Sequence, residues 1–230
     1  QGRWIDVNKG SSEVPDYRSR YVGKEFNRGK AATSDLYAAT PPLEALKLLV
    51  STCATEQGRE THLMLSDVKR AYFHAPATRE LYVELPPEDP GYGKGLIGRL
   101  NLSLYGTRDA AANWQHCVAD HLRSLGFAQG KANPCVFWHA GKGLRVLVHG
   151  DDYATAGALE QLRWLQACLE ARFDMKTSIV GHSNQEGVVQ EAKILNKIIR
   201  VTEEGIELEA DIRHAELIIR GCLLYTSDAA

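Results

Sequence analysis

Three aspartates are the residues best equipped to do chemistry. Asp151 and Asp152 stand side by side just past the apolar run Leu144-Arg145-Val146-Leu147-Val148, and Tyr153 follows them. Adjacent carboxylates repel each other unless something positive sits on them. Their hard oxygens suit Mg²⁺, whose charge relieves that repulsion. Taken alone, an Asp-Asp pair reads most simply as a hairpin turn. The segment Leu63-Met64-Leu65-Ser66-Asp67-Val68 changes that weighing, because it is a second apolar strand ending in a carboxylate. Two strands that each deliver an Asp can pool their oxygens around two metal ions.

Several elements must position these groups. The first forty residues are polar and interrupted by Gly and Ser, with one short strand expected around Tyr21-Val22. Thr40 is the expected N-cap of a helix over 43–54, whose apolar Leu43, Leu46, Leu49, Val50 and Cys53 recur at three and four. Glu80–Leu85 alternates with period two and stops at Pro86-Pro87, while 88–98 reads as a surface loop. Ala111, Trp114, Val118, His121, Leu122 and Leu125 mark a second helix ending at Gly126. Cys135–Trp138, a turn at Ala140–Gly143 and the strand into the Asp pair make a hairpin. Leu159–Phe173 is a third amphipathic helix. Ile194–Ile199, a turn at Glu203-Glu204-Gly205 and Ile206–Leu208 read as another hairpin, before a short helix over 211–220.

With 230 residues and 44% hydrophobic content, the chain can bury one large core or two small ones. No run approaches the roughly 18 apolar residues of a membrane span, and the N-terminus has no signal-peptide pattern, so the expected location is intracellular. Cysteines at 53, 117, 135, 168 and 222 show no Cys-x-x-Cys spacing, which argues for reduced, packed thiols over a zinc site. A net charge of −2 is not that of a protein basic all over, although residues 1–30 carry seven cations against four carboxylates. Gln1 at the start points to a piece of something longer. Cys222–Ala230 reads as the in-frame translation of a transposase-type sequencing adapter, so the native chain is expected to stop near Gly221.

Five blocks in order carry a family resemblance: Tyr17–Lys24, Ser66–Phe73, Ser103–Trp114, Asn133–Phe137 and the Asp151-Asp152 pair. From about Trp4 to Arg220 the chain resembles the reverse transcriptase domain of Ty1/copia-type retrotransposon polyproteins. The resemblance implies an α+β, right-hand polymerase fold over 1–221, with fingers, a palm on an antiparallel sheet, and an incomplete thumb or connection. It implies RNA-directed DNA polymerisation by two-metal nucleotidyl transfer from a dNTP to a primer 3′-hydroxyl. Two Mg²⁺ or Mn²⁺ ions would sit on Asp67, Asp151, Asp152 and the Val68 carbonyl. The implied partners are an RNA or DNA template–primer, dNTPs, and the protease, integrase and RNase H of the same polyprotein, with no membrane.

By the same resemblance, Arg20, Lys24, Ala71, Tyr72, Tyr105 and Gly106 would hold the nucleotide. Tyr72 would lie beneath the sugar and exclude a 2′-hydroxyl, with core packing beside Phe73 the competing reading. Asn196 and Lys197 would grip the primer. His149-Gly150 stands where the family has Tyr-Val, Ala111 replaces its Pro, and Asp109 replaces its Gln, adding negative charge. Glu203, Glu204, Glu207, Glu209 and Asp211 form an acidic set not expected of a nucleic-acid surface. The rival readings are a decayed or truncated element that only binds nucleic acid, and another palm-fold nucleotidyl transferase.

Overall fold

In this computed structural model the described residues are 1–26, 36–55, 61–182, 184–209 and 212–221. The elements in chain order begin with β1 (Gly2–Asn8), β2 (Tyr17–Gly23), α1 (Leu43–Ala54), β3 (Thr61–Val68), β4 (Tyr82–Glu84), β5 (Ile97–Arg99), α2 (Ala110–Ser124) and β6 (Ala128–Gln129). They continue with β7 (Val136–His139), β8 (Leu144–His149), β9 (Asp152–Ala158), α3 (Leu159–Glu170), β10 (Met175–Val180), β11 (Val188–Val189), β12 (Glu191–Ile194), β13 (Lys197–Val201), β14 (Ile206–Glu209) and α4 (Ile212–Gly221). They fall into two units, Gln1–Thr40 with Lys69–Pro134, and Pro41–Val68 with Cys135–Ala230.

In the first unit, β1 and β2 form an antiparallel hairpin in which Ile5 faces Arg20 and Val7 faces Arg18. The sequence reading expected a single short strand here. It missed β1 because Trp4 and Ile5 stand side by side, which breaks the period-two pattern, on a ribbon that buries little. A second short hairpin pairs β4 with β5, so Ile97–Arg99 is strand where a loop was expected. Helix α2 buries Ala110, Ala112, Asn113, Trp114, Val118, Ala119 and Leu122. The stripe is rotated from the expected one, and Ala111, His121 and Leu125 are only partly covered. Asn113 can lie inward because its Nδ2 donates to Ser103 Oγ at 3.1 Å and its Oδ1 accepts from Thr78 Oγ1 at 2.9 Å. The chain leaves α2 through Gly126 at φ +93, a left-handed conformation that favours glycine.

In the second unit the strand order is β11-β10-β3-β9-β8-β7, antiparallel throughout except for β10 with β11. Helix α1 lays Leu46, Leu49, Val50 and Cys53 on Leu63 and Leu65 of β3, Leu147 of β8 and Ala154 and Ala156 of β9. Burial pushes the Cys53 thiol up to about 12, consistent with a packed, unreactive sulfur. Residues of the opposite parity, Met64, Val146, Tyr153 and Thr155, are buried as well, so the central strands are covered on both faces. Helix α3 packs against β3, β9 and β10 with Leu162, Leu165 and Leu169 fully buried.

Helix α1 is preceded by Pro42, with no side-chain cap, rather than by a Thr40 cap. Its fixed φ suits a helix start without a hydroxyl acceptor. A separate sheet, β12-β13-β14, closes the described chain before α4. The expected strand Ile194–Ile199 is in fact two strands joined at Leu195-Asn196, whose φ values of 48° and 60° make a two-residue hairpin turn. Asp211 and the adapter-like Cys222–Ala230 lie outside the described residues.

Candidate active site

The antiparallel ladder between β3 and β9 sets Asp67 directly opposite Asp152. Residues so opposed bring their Cβ atoms to within about 4.5–5.5 Å. Strand β8 ends at His149, which faces Asp152, and Gly150-Asp151 is the two-residue turn between β8 and β9. Gly150 sits at φ +64, and a Cβ added to it would meet nothing within 4 Å. The Asp151 carbonyl accepts a 2.9 Å hydrogen bond from the Val68 N–H, fastening the turn to the end of β3. The turn expected of the Asp pair is thus present at Gly150-Asp151, and Asp152 opens β9 opposite Asp67.

Asp152 feels the other two carboxylates. Burial, and then the negative charges of Asp151 and Asp67, push the Asp152 carboxyl up to about 6. Asp67 is exposed although Leu63 and Leu65, which share its face of β3, are buried beneath α1; it lies toward the strand's end, beyond the residues that pack on that helix. Asp67 and Asp152 line a cavity of about 350 Å³ together with Lys176, Thr177 and Lys193. Lys176 of β10 is the register partner of Asp67. Sequence reading missed Lys176, because the alternation of Met175–Val180 is the only local sign of that strand. Among the described residues, no three His, Cys, Asp or Glu side chains are gathered into a ready-made metal cage. The donor set is nonetheless all oxygen, which fits a hard divalent ion better than zinc or copper.

A second cluster of expected site residues lies within the first unit. Arg20 stands over the Tyr105 ring at 5.3 Å, and the Tyr72 ring lies 4.4 Å from that of Tyr105, tilted by 33°. Phe73 meets Tyr105 edge-on at 5.6 Å. Tyr72 is only partly buried and Phe73 is exposed, so this is an aromatic cluster at the surface and not core packing. Ala71 is buried at the start of a 3-10 turn, Ala71–His74. The Gly23 N–H donates to the Tyr105 carbonyl at 2.7 Å, Lys24 N–H to Gln1, and Glu25 N–H to the Gly106 carbonyl at 3.2 Å. Gly106 has φ +84, and a Cβ there would collide with the Gly23 carbonyl oxygen.

Lys9, Arg18 and Arg20, three of the N-terminal cations, line a cleft of about 300 Å³ with Ile5, Val7, Val22 and Tyr105. The common parity of Arg18 and Arg20 on β2 was the available signal. Asp109, which looked like an unpaired negative charge, is buried in an ion pair with Arg79 at 2.8 Å, and Arg79 also holds Glu25 at 3.0 Å. Hydrogen bonds from Arg79 hold both carboxyls below their usual range. The acidic C-terminal set is likewise partly neutralised, with Arg200 of β13 bridging Glu191, Glu207 and Glu209. Asn196 and Lys197 occupy the β12–β13 turn and the start of β13. Asp67, Val68, His149, Gly150, Asp151, Asp152, Asn196 and Lys197 thus belong to the second unit, and Arg20, Lys24, Ala71, Tyr72, Tyr105 and Gly106 to the first.

Comparison with known proteins identifies the family. Residues 1–199 match the family model described as reverse transcriptase (RNA-dependent DNA polymerase). The chain is 26% identical over 182 residues to the retrovirus-related Pol polyprotein from transposon TNT 1-94 of Nicotiana tabacum, covering 76% of this chain and 14% of that protein. It is 29% identical over 126 residues to the transposon Ty1-BL Gag-Pol polyprotein of Saccharomyces cerevisiae, covering 54% of this chain and 7% of that one. Among solved structures it is similar to a Candida albicans telomerase, with a TM-score of 0.47, 10% identity, and 78% of this chain and 36% of that chain covered. No helix among the described residues is long and apolar enough to cross a membrane. The chain belongs to the reverse transcriptase family, as a segment of the kind found in Ty1/copia-type Pol polyproteins.

Proposed function

We propose that this chain carries the nucleotidyl-transfer centre of an RNA-directed DNA polymerase, extending a primer 3′-hydroxyl with dNTPs on an RNA or DNA template. The observation that carries this reading is the apposition of Asp67 and Asp152 by strand register, with Asp151 in the adjoining tight turn. Three carboxylates brought to one end of neighbouring strands repel one another, and two Mg²⁺ or Mn²⁺ ions held by Asp67, Asp151, Asp152 and the Val68 carbonyl would relieve that repulsion. When bound, such ions neutralise the charge that develops on the attacking and leaving oxygens.

The remaining roles belong to this chain's own side chains. Asp67 and Asp151 orient oxygens toward the reaction centre, and Asp152 stands behind them in the more buried position. Arg20 offers a bidentate guanidinium fork to a triphosphate, and Lys24 a point charge. Tyr72 presents a ring edge that would exclude a 2′-hydroxyl, and Gly106 admits a close backbone approach. Asn196 and Lys197 would contact the primer strand. The wider polyprotein context, with protease, integrase and RNase H in a cytoplasmic particle or the nucleus, belongs to this proposal as well.

Primer extension with Mg²⁺ on an RNA template tests it. Template-dependent extension by the 230-residue chain, lost in Asp151→Asn, is the expected result. Extension that survives Asp151→Asn would refute the assignment of the site. Binding of the template–primer with no extension would favour the non-polymerising reading, and preference for NTPs over dNTPs would favour another palm-fold transferase.

A further inference from the structure

Tyr105 touches both of the groups proposed to handle the nucleotide. Arg20, the triphosphate candidate, stands over its ring at 5.3 Å, and Tyr72, the sugar-gate candidate, packs on it at 4.4 Å. Phe73 adds an edge-on contact from the same 3-10 turn. The backbone of Tyr105 is itself held, since its carbonyl accepts the Gly23 N–H at 2.7 Å from the end of β2, the strand that carries Arg20. Tyr105 is partly buried, and its ring forms a wall of the cleft that also holds Lys9 and Arg18.

Each contact has a physical consequence. An arginine over an aromatic face gives up rotamer freedom in exchange for a cation–π attraction, which leaves its N–H fork preorganised. A tyrosine gate works only if its ring cannot swing aside, and Tyr72 projects, half-buried, from a short 3-10 turn that packs on α2. Its neighbours Ala71 and Phe73 flank it in sequence, and the ring of Tyr105 braces it. One side chain thus restrains a cation for phosphate and a ring for sugar. Arginine fork and tyrosine gate are each ordinary devices; their sharing one brace is the particular property of this cluster.

We infer that Tyr105 is a positioning residue that couples triphosphate affinity to deoxyribose selectivity by bracing Arg20 and Tyr72 on one ring. The inference rests on the polymerase reading given above and deepens it. Removing the ring should loosen both groups at once. A change that acted on the phosphate alone would weaken dNTP and NTP alike and leave their ratio untouched, whereas the shared brace predicts that affinity and ratio move together.

The test measures equilibrium binding of dATP and of ATP to the 230-residue chain with Mg²⁺ and an RNA–DNA template–primer. These nucleotides differ only in the 2′-hydroxyl. Tyr105→Leu is expected to weaken dATP binding about fivefold, the worth of one cation–π contact, and to reduce the preference for dATP over ATP by a similar factor. Tyr105→Phe keeps the ring and is expected to restore both. Arg20→Ala should weaken both nucleotides without changing their ratio, and combined with Tyr105→Leu it should cost less affinity than the two changes made separately. Circular dichroism of each variant shows that it folds. If the native chain prefers dATP and Tyr105→Leu keeps that preference, the inference falls while the polymerase reading stands. If Tyr105→Phe fails to restore the ratio, the ring is not the brace and the inference falls too. If the native chain binds neither nucleotide, or binds both equally, the nucleotide-site reading fails and takes this inference with it.

Discussion

Replacing Gly106 by alanine tests how tightly the end of β2 is tied to the Tyr105-Gly106 corner. Gly106 holds φ +84, where an L side chain costs about 1–2 kcal/mol. The new methyl would also meet the Gly23 carbonyl, which is backbone and cannot rotate away. Moving Gly23 strains two hydrogen bonds, Gly23 N–H to Tyr105 at 2.7 Å and Glu25 N–H to Gly106 at 3.2 Å, each worth about 1 kcal/mol. Alanine recovers about 0.4–1 kcal/mol by restricting the unfolded chain. The net loss is about 2–3 kcal/mol, or roughly 4–12 °C in Tm at about 2–4 °C per kcal/mol for a chain of this size. Gly95 is the control, because it has φ +72 and an added methyl there would meet nothing within 4 Å. Gly95→Ala should therefore show the dihedral cost alone, about 1 kcal/mol or less after the same recovery. Differential scanning calorimetry and urea denaturation read both variants. A Gly106→Ala protein that melts with Gly95→Ala would refute the claim that the backbone is fixed at Gly23.

Two further expectations concern the carboxylates and the turn. Arg79 lowers the Glu25 and Asp109 carboxyls, so the stability they contribute is present above the ordinary carboxylate range near pH 4 and is lost as pH falls through their depressed folded values. Arg79→Met should be less stable at pH 7, with Asp109 buried and deprived of its cation, and should lose less on going to pH 3; urea midpoints with the same pH slope as the native chain would overturn this. At Gly150 space is open and only the dihedral is restrictive, so Gly150→Asn should be nearly neutral while Gly150→Val costs about 1–2 kcal/mol. Equal melting temperatures for these two variants would show that the turn relaxes to accept a β-branched residue.

What the sequence made legible follows from how far each signal reaches along the chain. Helices α1 and α3 were readable because leucines at three and four report a buried stripe within a dozen residues. Asp67 and Asp151-Asp152 were readable because each terminates or follows a run of apolar residues. Strand β9 was not, since Ala154, Ala156 and Gly157 have low strand propensity and are buried only because neighbours on both sides leave room for small side chains. Strand β10 was missed for a related reason, since its partner β3 lies far away in sequence, while β11 and the hairpin arm β1 bury little and so carry a weak pattern of their own. Pairing, not local pattern, makes them strands. Asp109 shows the same limit for charge, because the guanidinium that neutralises it stands 30 positions earlier. The rotated face of α2 depended on Ser103 and Thr78 satisfying Asn113, which helical periodicity cannot anticipate.

The ladder that faces Asp67 with Asp152 bears on how this gene can tolerate insertions and deletions. Side chains along a strand alternate faces, so one codon gained or lost within β3 or β9 would move the aspartate to the opposite face of the sheet, away from its partner. Most point substitutions at the same positions leave that parity untouched. The turn at Ala140-Gly141, whose two residues are exposed, can instead absorb an extra residue without disturbing the ladder between β3 and β9. Among drifted copies of such an element, in-frame length changes should therefore collect in that turn and stay out of β3 and β9, and a copy with one residue inserted in either strand should keep its helices while losing the apposed carboxylates.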